Sequence, residues 1–109
     1  MITNKTKNLT ISKKEITCKN FLSQSVGLMF RGKQNLLMIF SKEKKISLHN
    51  FFVFYSLDIL VLDKEKKIVE IKKDFKPFTF WKSKKEGKYV VELGFPSEYK
   101  IGDQLGFNE

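Results

Sequence analysis

Leu57-Asp58-Ile59-Leu60-Val61-Leu62-Asp63-Lys64-Glu65-Lys66-Lys67-Ile68-Val69-Glu70-Ile71 is the stretch on which the fold turns. Two short runs of large aliphatic and β-branched residues flank a charged segment that opens with Asp63, a residue suited to starting a turn. The pattern predicts an antiparallel hairpin, Leu57–Leu62 against Ile68–Ile71. One residue does not fit an apolar strand. Asp58 sits between Leu57 and Ile59, where a carboxylate is costly unless something compensates its desolvation. It reads either as a group that binds a cation or orients a histidine, or as an acceptor of backbone N–H groups where the chain enters the strand.

The same reading extends outward. Tyr89-Val90-Val91-Glu92-Leu93 has the clearest period of two, with Tyr89, Val91 and Leu93 facing one way and Val90 and Glu92 the other. Leu36 to Phe40 reads as a buried strand and Ile46 to Val53 as another. The lysine clusters Lys42–Lys45, Lys64–Lys67 and Lys82–Lys88 read as turns. Pro77 makes Phe75–Trp81 an edge or loop-borne strand. Leu9–Ile11 and Glu15–Lys19 are short early strands, and Leu105–Phe107 a closing one. Asn20 suits a helix N-cap, and the spacing of Phe21, Leu22, Ser25, Leu28 and Met29 predicts a short helix near residues 21–29. The expectation is an all-β, single domain over residues 1–109, a mostly antiparallel sandwich or barrel with one short helix. Residues 1–14 read as an edge strand or a flexible lead-in.

Composition narrows the function classes. The chain has 109 residues, 21 basic against 12 acidic, and a net charge of +9. Every basic residue but Arg31 is lysine. The lysines are interspersed with acids, and arginine, the better residue for bidentate recognition, is nearly absent. The charge therefore reads first as a solvated surface, with nucleic-acid binding as an alternative. One Cys (Cys18) and one His (His49) exclude an internal disulfide and a Cys/His zinc site. No metal or cofactor is expected. The polar, lysine-rich start has no signal-peptide pattern, and the longest apolar run, Phe51–Leu62, is too short for a membrane helix. The expected location is cytoplasmic, with no membrane partner.

Cys18, on the apolar face of an early strand, reads as core. The candidates for chemistry are His49, able to act as base or ligand, Asp58, and Arg31, the single planar guanidinium. Their readings as ordinary structural residues compete with these roles.

At this point the motifs add up to a resemblance. Gly27-Leu28-Met29-Phe30-Arg31, the run from His49 to Asp63, Lys76-Pro77-Phe78, Tyr89-Val90-Val91-Glu92-Leu93 and Ile101-Gly102-Asp103-Gln104-Leu105 occur in the order seen in a prokaryotic family, domain of unknown function 192. The match covers about residues 15 to 107. Ser56 stands where the family has Pro, Val53 where it has Met, and Phe78 where it has Trp. The resemblance implies a compact, mostly β fold and no established activity. It places polar motif residues at Arg31, His49, Asp58, Asp63 and Asp103, the last two in turn contexts.

Three functions follow as expectations. The first is a non-catalytic module binding a small molecule or a protein, its pocket formed by Met29, Arg31, His49, Asn50, Phe51, Asp58 and Trp81. The second is a hydrolase or isomerase with His49 as base and Asp58 as its orienter. The third is lysine-mediated nucleic-acid binding.

Overall fold

The computed structural model describes residues 1–19, 33–49 and 54–109. Eight strands follow in order: β1 (Ile2–Asn4), β2 (Leu9–Ser12), β3 (Glu15–Cys18), β4 (Asn35–His49), β5 (Leu57–Leu62), β6 (Ile68–Phe75), β7 (Phe80–Leu93) and β8 (Leu105–Gly106). They form a five-stranded sheet, β3-β4-β7-β5-β6, and a three-stranded sheet, β2-β1-β8. Every pairing is antiparallel except β3 with β4. Among the described residues neither sheet closes on itself, so the all-β fold is sandwich-like and not a barrel. The predicted helix at 21–29 lies outside the described residues.

The opening hairpin forms as the sequence predicts. Leu62 opposes Ile68 and Leu60 opposes Ile71. Asp63 builds the turn: its Oδ1 accepts the N–H groups of Glu65 (2.9 Å) and Lys67 (3.0 Å), and its carbonyl accepts Lys66 N–H at 2.9 Å. Lys66 takes a left-handed φ of 65° to close it.

The alternation on β7 also holds. Tyr89, Val91 and Leu93 join Leu37, Ile39, Leu60 and Leu62 in a core that Ile2, Ile11 and Leu105 of the small sheet cover. Val90 faces the other way, with Leu36, Met38, Ile46, Ile59, Val61 and Phe75. Both faces of the large sheet are thus buried around β5, which is why that strand is a nearly continuous apolar run. Cys18 belongs to the second core.

The lysine clusters need a correction. Lys64–Lys67 is a turn, but Lys42–Lys45 and Lys82–Lys88 lie inside β4 and β7. These two strands pair along their length as a ribbon, with Lys45 opposite Glu86 and Ser47 opposite Lys82. Lysine fits an exposed strand face, and the β4 cluster holds no Gly, Pro or Asn that would force a turn. Fourteen extended residues of β7 would span about 46 Å, beyond the 33 Å longest dimension of the molecule, so the ribbon bends. The register shifts between Ile39 and Lys44 and between Lys45 and Ser47 are where it does so. At the second, Ile46 N–H donates to Ser83 Oγ at 2.8 Å, and that hydroxyl donates to Lys85 O at 2.7 Å, so the irregularity leaves this buried amide satisfied.

Candidate functional site

Asp58 sits on β5 opposite Leu93 and carries a defined set of bonds. Its Oδ1 accepts the N–H of Asp74 at 3.0 Å, at a residue held in left-handed backbone (φ 53°). Its Oδ2 accepts the hydroxyl of Tyr99. Lys73 Nζ lies 3.9 Å from Oδ2 and 4.6 Å from the Tyr99 ring centre. Burial and the adjacent Asp58 carboxylate push the Tyr99 phenol far above its usual pKa, so it remains a donor at any physiological pH. Asp58 therefore fastens the end of β6 and the C-terminal segment to β5. Replacing Tyr99 with Phe removes a charge-assisted bond at a buried site and should lower stability by about 1–2 kcal/mol, measured by urea denaturation.

His49, the last residue of β4, opposes Phe80, while Trp81 opposes Leu48 and packs against the second core. Neighbouring residues on a strand point to opposite faces, so Trp81 and His49 lie on opposite sides of the ribbon. Asp58 is registered against the last residue of β7 and His49 against its first. Met29, Arg31, Asn50 and Phe51 lie outside the described residues.

A residue outside these candidates has the most unusual environment. Glu92 is buried in β7, between Leu36 of β4 and Ile59 of β5 in register. Ile16 extends the same row beyond Leu36, and Lys72 lies beyond Ile59, two strands and about 10 Å from Glu92. Among the described residues no donor reaches the Glu92 carboxyl. Burial alone pushes its pKa up from 4.5 to about 7. Sequence periodicity assigned Glu92 to the face of Val90. The signal it left unread was that Val90 itself is apolar, so that face is a core.

The row ends at an opening. Lys14, Glu15, Ile16, Lys33, Gln34, Asn35 and Phe95 line a cavity of about 290 Å³ at the end of the large sheet. Asn35 organises its inner wall. Its Oδ1 accepts the N–H groups of Gly94 (2.9 Å) and Phe95 (3.4 Å), and its Nδ2 donates to Ser12 Oγ at 2.9 Å. Ser12 Oγ in turn donates to Glu15 Oε1 at 2.8 Å. Gln34 N–H donates to the Tyr55 hydroxyl at 3.3 Å. Lys33 Nζ lies 5.2 Å from the centre of the half-exposed Phe95 ring. Pro77, Trp81 and the turn aspartates Asp63 and Asp103 do not line it. Among the described residues no cluster of His, Cys, Asp or Glu is arranged to hold a metal, and no helix is long and apolar enough to cross a membrane.

These features define a small two-sheet β module with a buried carboxyl in its large sheet and an open, lysine-flanked cavity at the end of that sheet. The chain belongs to the DUF192 family, described as "Uncharacterized ACR, COG1430", whose model matches residues 2–106. It is 30% identical over 112 residues to a UPF0127 protein of Pyrococcus abyssi, covering 96% of this chain and 95% of that one. A UPF0127 protein of Pyrococcus horikoshii is 30% identical over 95 residues, 84% of this chain and 82% of the relative. Two solved structures share the fold at 18% identity. One, a protein of unknown function from Novosphingobium aromaticivorans, has a TM-score of 0.73 over 85% of this chain and 74% of its own. The other, a candidate transcription regulator from Sinorhizobium meliloti, has a TM-score of 0.80 over 96% of this chain and 88% of its own.

Proposed function

We propose that the protein is a non-catalytic binding module that takes a small organic anion at the open end of its large sheet. The observation that carries this reading is the cavity of about 290 Å³, near the lower end of the usual range for small-ligand sites. Lys14 and Lys33 supply positive charge at its rim, Gln34 supplies an amide, and the Phe95 ring offers an apolar wall for a flat ligand. The one carboxylate on the rim, Glu15, already accepts from Ser12. The pocket expected around Arg31, His49 and Asp58, with Met29, Asn50, Phe51 and Trp81 as walls, is the competing placement. The bonds that Asp58 makes to Tyr99 and Asp74 favour a fastening role for it.

Calorimetric titration with citrate, benzoate and ribose 5-phosphate separates the two placements. Saturable binding of at least one, weakened about tenfold or more by Lys33→Glu or Lys14→Glu and unchanged by His49→Ala, is the expected result. Binding lost in Arg31→Ala or His49→Ala but retained in Lys33→Glu would move the site to the motif pocket. No heat with any of the three anions would remove the proposed ligand class.

A further inference from the structure

The far end of β7 carries a different surface. Phe54, Phe78 and Phe80 are 65%, 55% and 74% exposed, unusual for aromatic side chains of this size on one end of a small domain. The Phe54 and Phe78 rings meet edge to face, with centroids 6.0 Å apart. Phe78 holds a φ of 61°, a backbone region that bulky residues rarely enter, so the turn between β6 and β7 keeps this ring outward at a conformational cost. Phe80 follows two residues later and sits beside His49 on the exposed face of the ribbon.

Charge continues along the same face. Lys82 lies opposite Ser47, and Lys84 follows it two residues on; all are exposed. Alternate residues on a strand are about 6.7 Å apart, so Phe80 and Lys82 stand side by side on one face, and the exposed Lys84 follows in the irregular stretch before Glu86. Glu70 of β6 is half-buried beside this stretch. Glu70 accepts the backbone N–H groups of Lys84 and Lys85 at 2.8–3.1 Å, an arrangement that shapes the strand and leaves both lysine side chains exposed. Asp74 is ion-paired with Lys76 at 2.7 Å.

We propose that this face binds single-stranded nucleic acid, with bases stacking on Phe80, Phe78 and Phe54 and the phosphate backbone following Lys82 and Lys84. Single strands are held by this combination of aromatic platforms and a basic track, and every base offers a π face to it. A duplex hides its bases and would meet only the lysines. A lipid surface fits less well, because Lys82 shares the face with Phe80 and would be carried toward the acyl region with it. This site is independent of the anion cavity, which lies at the opposite end of β7.

The test is fluorescence anisotropy of the full chain with labelled 15-mers of deoxythymidine and uridine, and with a 15-base-pair duplex, at 20, 50 and 200 mM salt. Single strands should bind at 20 mM salt, weaken steeply by 200 mM, and bind more tightly than the duplex. Phe80→Ala and Phe78→Ala, both at exposed positions and checked for folding by circular dichroism, should each weaken single-strand binding about 5- to 20-fold. Lys82→Ala should reduce the slope of affinity against salt. No binding at 20 mM salt would overturn the proposal, as would duplex binding equal to single-strand binding with both Phe variants unaffected. Phe-dependent binding to phosphatidylserine vesicles without oligonucleotide binding would overturn it in favour of a membrane.

Discussion

Glu92→Gln should change the pH dependence of stability more than any other single substitution at a described residue. The carboxyl is buried in a row of aliphatic side chains, and burial raises its pKa from 4.5 to about 7. An acid whose folded pKa lies above its unfolded value favours the fold most when protonated. Its contribution is fully present below about pH 4.5, declines as pH rises through 4.5 to 7, and is lost above that. The interval corresponds to about 3 kcal/mol. Glutamine does not titrate, so the stability of the variant relative to the wild type should rise by about 3 kcal/mol between pH 4.5 and pH 8. Urea denaturation at four pH values across that range reads this difference directly. Parallel profiles for the two proteins would mean that Glu92 finds a compensating partner.

Gly94→Ala should be among the most damaging small substitutions at the described residues. A Cβ at Gly94 would lie 2.4 Å from the carbonyl oxygen of Gln34 and 3.1 Å from that residue's backbone carbon and nitrogen. These are main-chain atoms of the residue just before β4, so relief requires moving one strand end relative to another. The same movement would strain the bonds from Gly94 and Phe95 N–H to Asn35, and with them the inner wall of the cavity. The expected loss is about 3 kcal/mol or more, a drop in melting temperature of more than about 10 °C for a domain of this size. Gly87 makes a comparable close approach, with a Cβ 2.3 Å from Val61 Cγ1. The backbone carbonyl oxygen of Leu62 lies 3.0 Å from the same point and Val61 is fully buried, so Gly87→Ala should be similarly destabilising. A melting temperature for Gly94→Ala within about 3 °C of the wild type would show that the two strand ends are not held as tightly as the geometry requires.

What could be read in the sequence was local. Asp63 marked the turn of the β5–β6 hairpin because its side chain bonds to amides only two and four residues ahead. Tyr89, Val91 and Leu93 marked one core because period two needs no knowledge of the partner strand. The lysine clusters misled because lysine is as acceptable on the exposed face of a paired strand as in a turn; the ribbon of β4 and β7 depends on a pairing between segments some 40 residues apart. Glu92 was missed for a related reason. Alternation tells which residues share a face, but only the packing of β3, β4 and β5 around β7 shows that the face is dry. The cavity draws on β3, the start of β4 and the segment after β7, three places with no shared motif. Asp58 stood out in sequence because it was out of place in an apolar strand. Its main partner, Tyr99, is 41 residues away and could not have been paired with it from spacing.

The proposed ligand site is the open end of the large sheet, lined by Lys14, Lys33, Gln34 and Phe95. Two-dimensional ¹H–¹⁵N NMR titration of the labelled protein with citrate, benzoate and ribose 5-phosphate tests it most directly. Saturable shifts should concentrate on the amides of Lys14, Ile16, Lys33, Gln34, Asn35 and Phe95, with those of His49, Asp58 and Phe80 unmoved. Shifts centred on His49 and Asp58, or none at saturating anion, would contradict it.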